Sequence, residues 1–135
     1  MPLFPSSEWI DEFCAQLEAD PRAGSMARSL EGVYRFEVEP GGALTEAQRY
    51  DVAIAPDGDG ADVSPLPFGS QAPRLTIAAA YPRWVQLLRG ELDIAFAMML
   101  RRIRVSGDVK AVTSNLDDAR PLLDALSAVD SSFAA

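Results

Sequence analysis

The spacing of apolar residues along the chain changes several times, and each change marks a new element. Trp9, Ile10, Phe13, Cys14 and Leu17 recur at helical spacing behind Ser6 and Ser7, both suited to N-capping. They predict a first amphipathic helix ending near Asp20-Pro21. A shorter helix follows from Arg22 to Leu30, weakened by Gly24 and Ser25 inside it. From Gly32 the period becomes two. Val33 to Glu39 alternates as a strand stopped by Pro40-Gly41-Gly42, and Tyr50, Val52 and Ile54 mark a second strand that ends at Pro56-Asp57-Gly58. The stretch from Asp57 to Pro73 is rich in Gly, Asp and Pro, and reads as a long loop with at most one short edge strand around Asp62 to Ser64. Arg74 to Ala79, with Leu75 and Ile77, is a third main strand. Three strands joined by turns, with no helix between them, predict an antiparallel meander.

The chain then turns helical. Pro82 suits a first helical position, Trp84, Leu87 and Leu88 share a face, and Gly90 suits the residue just past the helix end. Asp93 is a good N-cap for a helix from Ile94 to Leu100. Arg102 to Ser106 alternates again, with Ile103 and Val105 inward. Asp108 can cap the next helix, and Pro121, tolerated only in a first turn, splits the remainder into Asp108–Leu116 and Asp118–Val129. In the latter, Leu122, Leu123, Leu126 and Val129 form one stripe.

Between Leu92 and Leu100 only Asp93 is polar, with Ile94, Ala97 and Met98 on one face and Ala95, Phe96 and Met99 on the other. A surface helix needs a polar face, so both sides of this one must meet something apolar. Either sheet and helices sandwich it, or one side lines a cavity. Flexible thioethers such as Met98 and Met99 suit ligands of varying shape, and serve equally as core filler. Arg101, Arg102 and Arg104 follow, placed either to hold the carboxylate or phosphate head of an amphiphile or simply to face water.

Composition narrows the function classes. The 135 residues fit one domain, 1–135, and 48% apolar content makes it globular. Twenty acidic residues against twelve basic ones, eleven Arg and Lys110, disfavour nucleic acid and leave at most transient membrane contact. Histidine is absent, which removes His-based acid–base chemistry, the common nucleophile–His systems and most zinc sites. Cys14 has no internal disulfide partner and sits on the apolar stripe of the first helix, where an inert buried thiol is the expectation. Asp57-Gly58-Asp59-Gly60-Ala61-Asp62 superficially resembles a calcium loop, but Ala61 and Phe68 stand where ligand oxygens are needed, so it reads as a turn. No metal or cofactor is expected. Met1 to Glu8 lacks the basic and apolar regions of a signal peptide, which with the lone cysteine favours the cytoplasm.

Leu88-Arg89-Gly90-Glu91-Leu92-Asp93, then Ala97, then Arg102-Ile103-Arg104-Val105-Ser106-Gly107-Asp108 resembles the signature of the sterol-carrier-protein-2 family in its prokaryotic stand-alone form. The resemblance covers nearly the whole chain in element order, and Leu75 to Asp108 at motif level. It implies an α+β fold: a roughly five-stranded, mainly antiparallel or mixed sheet, covered on one side by about five helices and enclosing a hydrophobic tunnel. It further implies binding and transfer or presentation of a lipid (fatty acyl, sterol-like or isoprenoid) without enzymatic activity. A second role is that of accessory module for a lipid- or quinone-modifying enzyme. The expected ligand-lining residues are Trp84, Leu87, Leu88, Ile94, Ala97, Met98, Met99 and Val105, with the C-terminal helix as a lid. One position departs from the pattern. The family glycine six residues before Gly107 is Arg101 here, which predicts either a strained Arg101 or a reshaped helix exit.

Overall fold

Alternating apolar residues on the strands need one covered face, and the helical stripes supply the cover. The computed structural model describes residues 2–114 and 116–133, without the side chains of residues 94–96, 112 and 116. A two-residue strand β1 (Leu3–Phe4) leads into helices α1 (Ser7–Ala19) and α2 (Ala23–Leu30). Strands β2 (Gly32–Glu39), β3 (Gln48–Asp57), β4 (Gly60–Leu66) and β5 (Leu75–Ala80) follow. Helices α3 (Tyr81–Leu88) and α4 (Ile94–Met99) precede strand β6 (Arg104–Gly107). Helices α5 (Val109–Thr113) and α6 (Leu116–Ala128) and the short strand β7 (Ser132–Phe133) complete the order. The main sheet runs β4-β3-β2-β5-β6, and β7 returns to pair in parallel with β1.

Local chemistry explains the helix starts. The Ser6 hydroxyl accepts from the Trp9 amide at 3.1 Å, and Asp108 accepts from the Ala111 amide at 3.3 Å, each cap satisfying an otherwise orphan donor. The predicted stripe of α1 is buried throughout, at Trp9, Ile10, Phe13, Cys14 and Leu17, and α1 packs on β4 and α6. Burial, together with the charges of Asp11 and Glu18, pushes the Cys14 thiol up to about 12, so the thiolate is suppressed at neutral pH. Tyr34 on β2 donates its hydroxyl to the Leu30 carbonyl at 2.5 Å, fixing the end of α2 over the sheet. Helix α6 lies on α1, α2 and α3.

Four details differ from the pattern-based expectation. The strand expected at Asp62 to Ser64 is seven residues long. Ala61 and Val63 point inward, and Pro65 is tolerated because β4 is an edge strand pairing only with β3. The N–H of Val63 donates at 2.8 Å to Glu18 of α1, so the outer side of this edge has a partner from the helix layer. The third main strand does not extend the meander: β5 lies parallel to β2, on the side away from β3. Turn spacing cannot report this, because the connection crosses the outer face of the sheet without a helix. Strand β6 starts at Arg104 rather than Arg102, since residues 101–103 complete the turn that ends α4. Finally, α6 begins at Leu116, which places Pro121 in its second turn at the cost of the bond to the Asp117 carbonyl.

The crossing connection is held by the one buried charged side chain among the described residues. Asp51, outward-facing on β3, accepts from Arg35 Nε at 2.8 Å, from a second Arg35 guanidinium nitrogen at 3.0 Å and from the Gly69 amide at 3.0 Å. The Arg35 guanidinium also lies 4.4 Å from the centre of the Phe68 ring. Asp51 and Arg35 are direct cross-strand partners, so the pair locks β2 to β3 while gripping the loop above them.

This packing makes two positions testable. Burial raises the Asp51 pKa, but the Arg35 and Gly69 hydrogen bonds and the Arg35 charge outweigh it and hold the carboxyl below its usual range. A carboxyl lowered in the folded state stabilises above its unfolded pKa, and the contribution disappears as pH falls through the folded value. Thermal melts are expected to show stability dropping below about pH 4. Asp51→Asn should cost about 2–3 kcal/mol at neutral pH and flatten that acid dependence. The second position is Gly24, where α2 meets the β3–β4 turn: a Cβ there would lie 1.9 Å from the Asp59 carbonyl oxygen. Alanine favours helix over glycine by about 1 kcal/mol. Gly24→Ala is nevertheless expected to destabilise by about 2 kcal/mol or more in urea titrations, because backbone must move.

Candidate functional site

The segment from α3 to β6 carries every residue expected to line a ligand site. Helix α3 starts with Pro82 in its first turn, its fixed φ and missing N–H both suited to that place. Its inner face presents Tyr81, Trp84, Leu87 and Leu88, all buried. Trp84 donates its indole N–H to the Glu37 carbonyl at 3.0 Å, and its ring stands edge-on to Phe36 with centroids 5.9 Å apart. It thereby fastens α3 to β2.

Two helix ends in this segment close in the same way. At the end of α3 the Glu91 amide donates to the Gln86 carbonyl at 2.8 Å and the Gly90 amide to Leu87 at 3.1 Å, with Gly90 at φ +72°. At the end of α4 the Arg102 amide donates to Ala97 at 2.9 Å and the Arg101 amide to Met98 at 3.1 Å, with Arg101 at φ +58°. Both are Schellman closures, whose left-handed residue is ordinarily glycine. The second puts an arginine there, at a steric cost of roughly 1–2 kcal/mol. The departure at Arg101 therefore resolves as a strained residue within a regular helix exit.

The eight expected lining residues do not all come together. Trp84, Leu87, Leu88 and Ala97 belong to one continuous buried cluster with Ile103, Leu122 and Leu126, and Val105 packs partly buried against it. Met98 is half-buried and outside that cluster. Met99 is 70% exposed, and Leu100 beside it 44%. Of the two faces of α4, the one carrying Ala97 meets the core, while Met99 meets solvent. The side chain of Ile94 lies outside the described residues.

A second feature of α3 is absent from the expectations raised by the sequence. Pro82, Val85, Gln86 and Arg89, at helical spacing on the outer side of α3, line an open groove of about 400 Å³. The hairpin residues Gly42 and Ala43 form another wall, and Phe133 of β7 comes from the far end of the chain. The Arg89 guanidinium lies 4.9 Å from the Phe133 ring centre. The i, i+3, i+4, i+7 spacing of the four α3 residues was a readable signal, whereas the return of Phe133 was not. Among the described residues no cluster of His, Cys, Asp or Glu could hold a metal ion, and no helix is long and apolar enough to cross a membrane.

A model of the SCP-2 sterol transfer family matches residues 10–116, from α1 to the first residue of α6. The chain belongs to that family. A search of curated proteins finds no match. Solved structures share the SCP-2 fold. A Thermus thermophilus protein described as possibly a sterol carrier protein is 21% identical, with TM-score 0.71 over 98% of this chain and 92% of its own. A crystal structure of sterol carrier protein 2 is 20% identical, with TM-score 0.66 over 92% and 97%. A ubiquinone synthesis protein, UbiJ-SCP2, is 19% identical, with TM-score 0.60 over 89% and 93%.

The left-handed arginine yields a test within this SCP-2 domain. Arg101→Gly is expected to raise stability by about 1 kcal/mol, the relieved strain exceeding the extra flexibility of an unfolded glycine. An unchanged or lowered melting temperature would contradict the strain.

Proposed function

We propose that this protein binds a lipid, of fatty acyl, sterol-like or isoprenoid type, between the inner face of its sheet and helices α3 and α4. It then transfers or presents that lipid without catalysing a reaction. One observation carries the reading. Asp51, the single buried charged side chain among the described residues, faces the outer side of the sheet, so the interior between sheet and helices is apolar. The proposed lining is Trp84, Leu87, Leu88, Ile94, Ala97, Met98 and Val105, with Met99 at the entrance and α6 as a lid. Family membership supports lipid as the ligand class. The absence of histidine supports a non-catalytic role. A second reading, an accessory module that holds a lipid or quinone intermediate for an enzyme partner, is favoured by the likeness to UbiJ-SCP2.

Native mass spectrometry of the purified protein is expected to show bound lipid that organic extraction releases. Protein that stays empty after exposure to micromolar acyl chains, sterols and isoprenoids would overturn the reading. Met98→Arg sharpens the test. At a lumenal position it should abolish displacement of a fluorescent lipid while circular dichroism stays unchanged. Loss of the fold instead would mark Met98 as ordinary core, where an unpaired buried charge is not tolerated.

A further inference from the structure

Four large apolar side chains are exposed among the described residues: Leu3, Phe68, Met99 and Leu100. Phe68 is stacked by Arg35 and flanked by Arg49, and Leu3 belongs to the β1–β7 pair. Met99 and Leu100 are different. They are adjacent, they close α4, and the next two residues are the exposed Arg101 and Arg102. The neighbouring Arg104 is paired with Glu39, whereas neither Arg101 nor Arg102 has an ion-pair partner among the described residues. Arg101 holds a backbone conformation that glycine would adopt freely. A residue kept in such a conformation points to a task for its side chain.

We propose that the Met99–Leu100–Arg101–Arg102 tip is a docking point for the surface of an anionic phospholipid bilayer. Thioether and isobutyl side chains enter the boundary between headgroups and acyl chains, and the two guanidiniums meet phosphates at headgroup level. The chain's net charge of −8 does not forbid this. At physiological salt a surface potential decays within about 8 Å, so only charges at the point of contact are felt. Of the nearest acids in sequence, Asp93 stands at the opposite end of α4, about 9 Å from Met99 along its axis. Asp108, beyond β6, is paired with Arg74, while the nearby Glu39 is engaged by Arg104. With two apolar side chains and two cations the attachment is weak and reversible, as a carrier that must leave the membrane requires. The inference rests on the lipid-carrier reading for its purpose alone.

The test is co-sedimentation of the purified protein with vesicles of phosphatidylcholine containing about one-third phosphatidylserine, against phosphatidylcholine alone. Binding is expected on the anionic vesicles only, and should vanish at about 0.5 M salt. Arg101→Gly should weaken it about fivefold even though the same variant melts at a higher temperature, and Arg102→Gln should weaken it similarly. Met99→Ser/Leu100→Ser should remove it with the melting temperature preserved. Wild-type protein that stays in solution, binds both vesicle types equally, or keeps its affinity in Arg101→Gly would overturn the proposal. Protein that sediments but never carries lipid fails the function proposed above and not this one. Protein that carries lipid without sedimenting fails this one alone.

Discussion

A run of aromatic rings crosses the interior of this domain and joins parts of the chain that are far apart in sequence. Phe4 of β1 stands edge-on to Trp9 of α1 at 4.8 Å, Trp9 stacks on Phe13 at 5.5 Å, and Phe13 meets Phe36 of β2 edge-on at 5.5 Å. Phe36 in turn meets Trp84 of α3, and Phe4 closes the circuit against Trp84 and Phe133. The sheet alone cannot hold α1, α3 and the β1–β7 pair in their mutual positions. The rings can, because each is both apolar bulk and an oriented contact. The indole N–H groups add direction: Trp84 bonds to β2, and Trp9 donates to the Ser131 hydroxyl at 2.7 Å, just before β7.

Once α3 is anchored by Trp84, the placement of α4 is constrained by chain length. Only residues 89–93 separate the two helices, and a glycine closure at Gly90 turns the chain back. Helix α4 is thus held at the margin of the core, where Ala97 can be covered and Met99 cannot. A hydrophobic helix at a margin is unfavourable for a domain that only needs to fold. The same margin carries the left-handed arginine, so two departures from folding economy coincide within three residues.

Much of the architecture was legible because apolar residues recur at every second position along the inner faces of β2, β3 and β5, and because capping residues stand where α1 and α5 begin. The face of α1, the Pro82 start and Gly90 end of α3 and the Asp108 cap follow from local chemistry alone. The parallel placement of β5 was hidden for a physical reason. The loop that crosses to it is held by Asp51, eighteen residues before Gly69, and a buried aspartate on an alternating strand looks like any solvent-facing one. The length of β4 was obscured by Pro65, which reads as a strand breaker unless the strand is known to be an edge. Around the candidate site, burial of Trp84, Leu87 and Leu88 could be anticipated from periodicity. The burial of Ala97 and the exposure of Met99 could not, since an all-apolar helix gives no sign of which face is covered.

The bond from the Val63 amide to Glu18 has a consequence for how these molecules behave in a crowd. An edge strand with open donors invites another sheet to continue it, and runaway pairing of that kind is a common route to aggregates. Here the helix layer reaches round the rim and occupies the donor with a charged group. On that side the sheet's own helical cover holds the donor that an added strand would need.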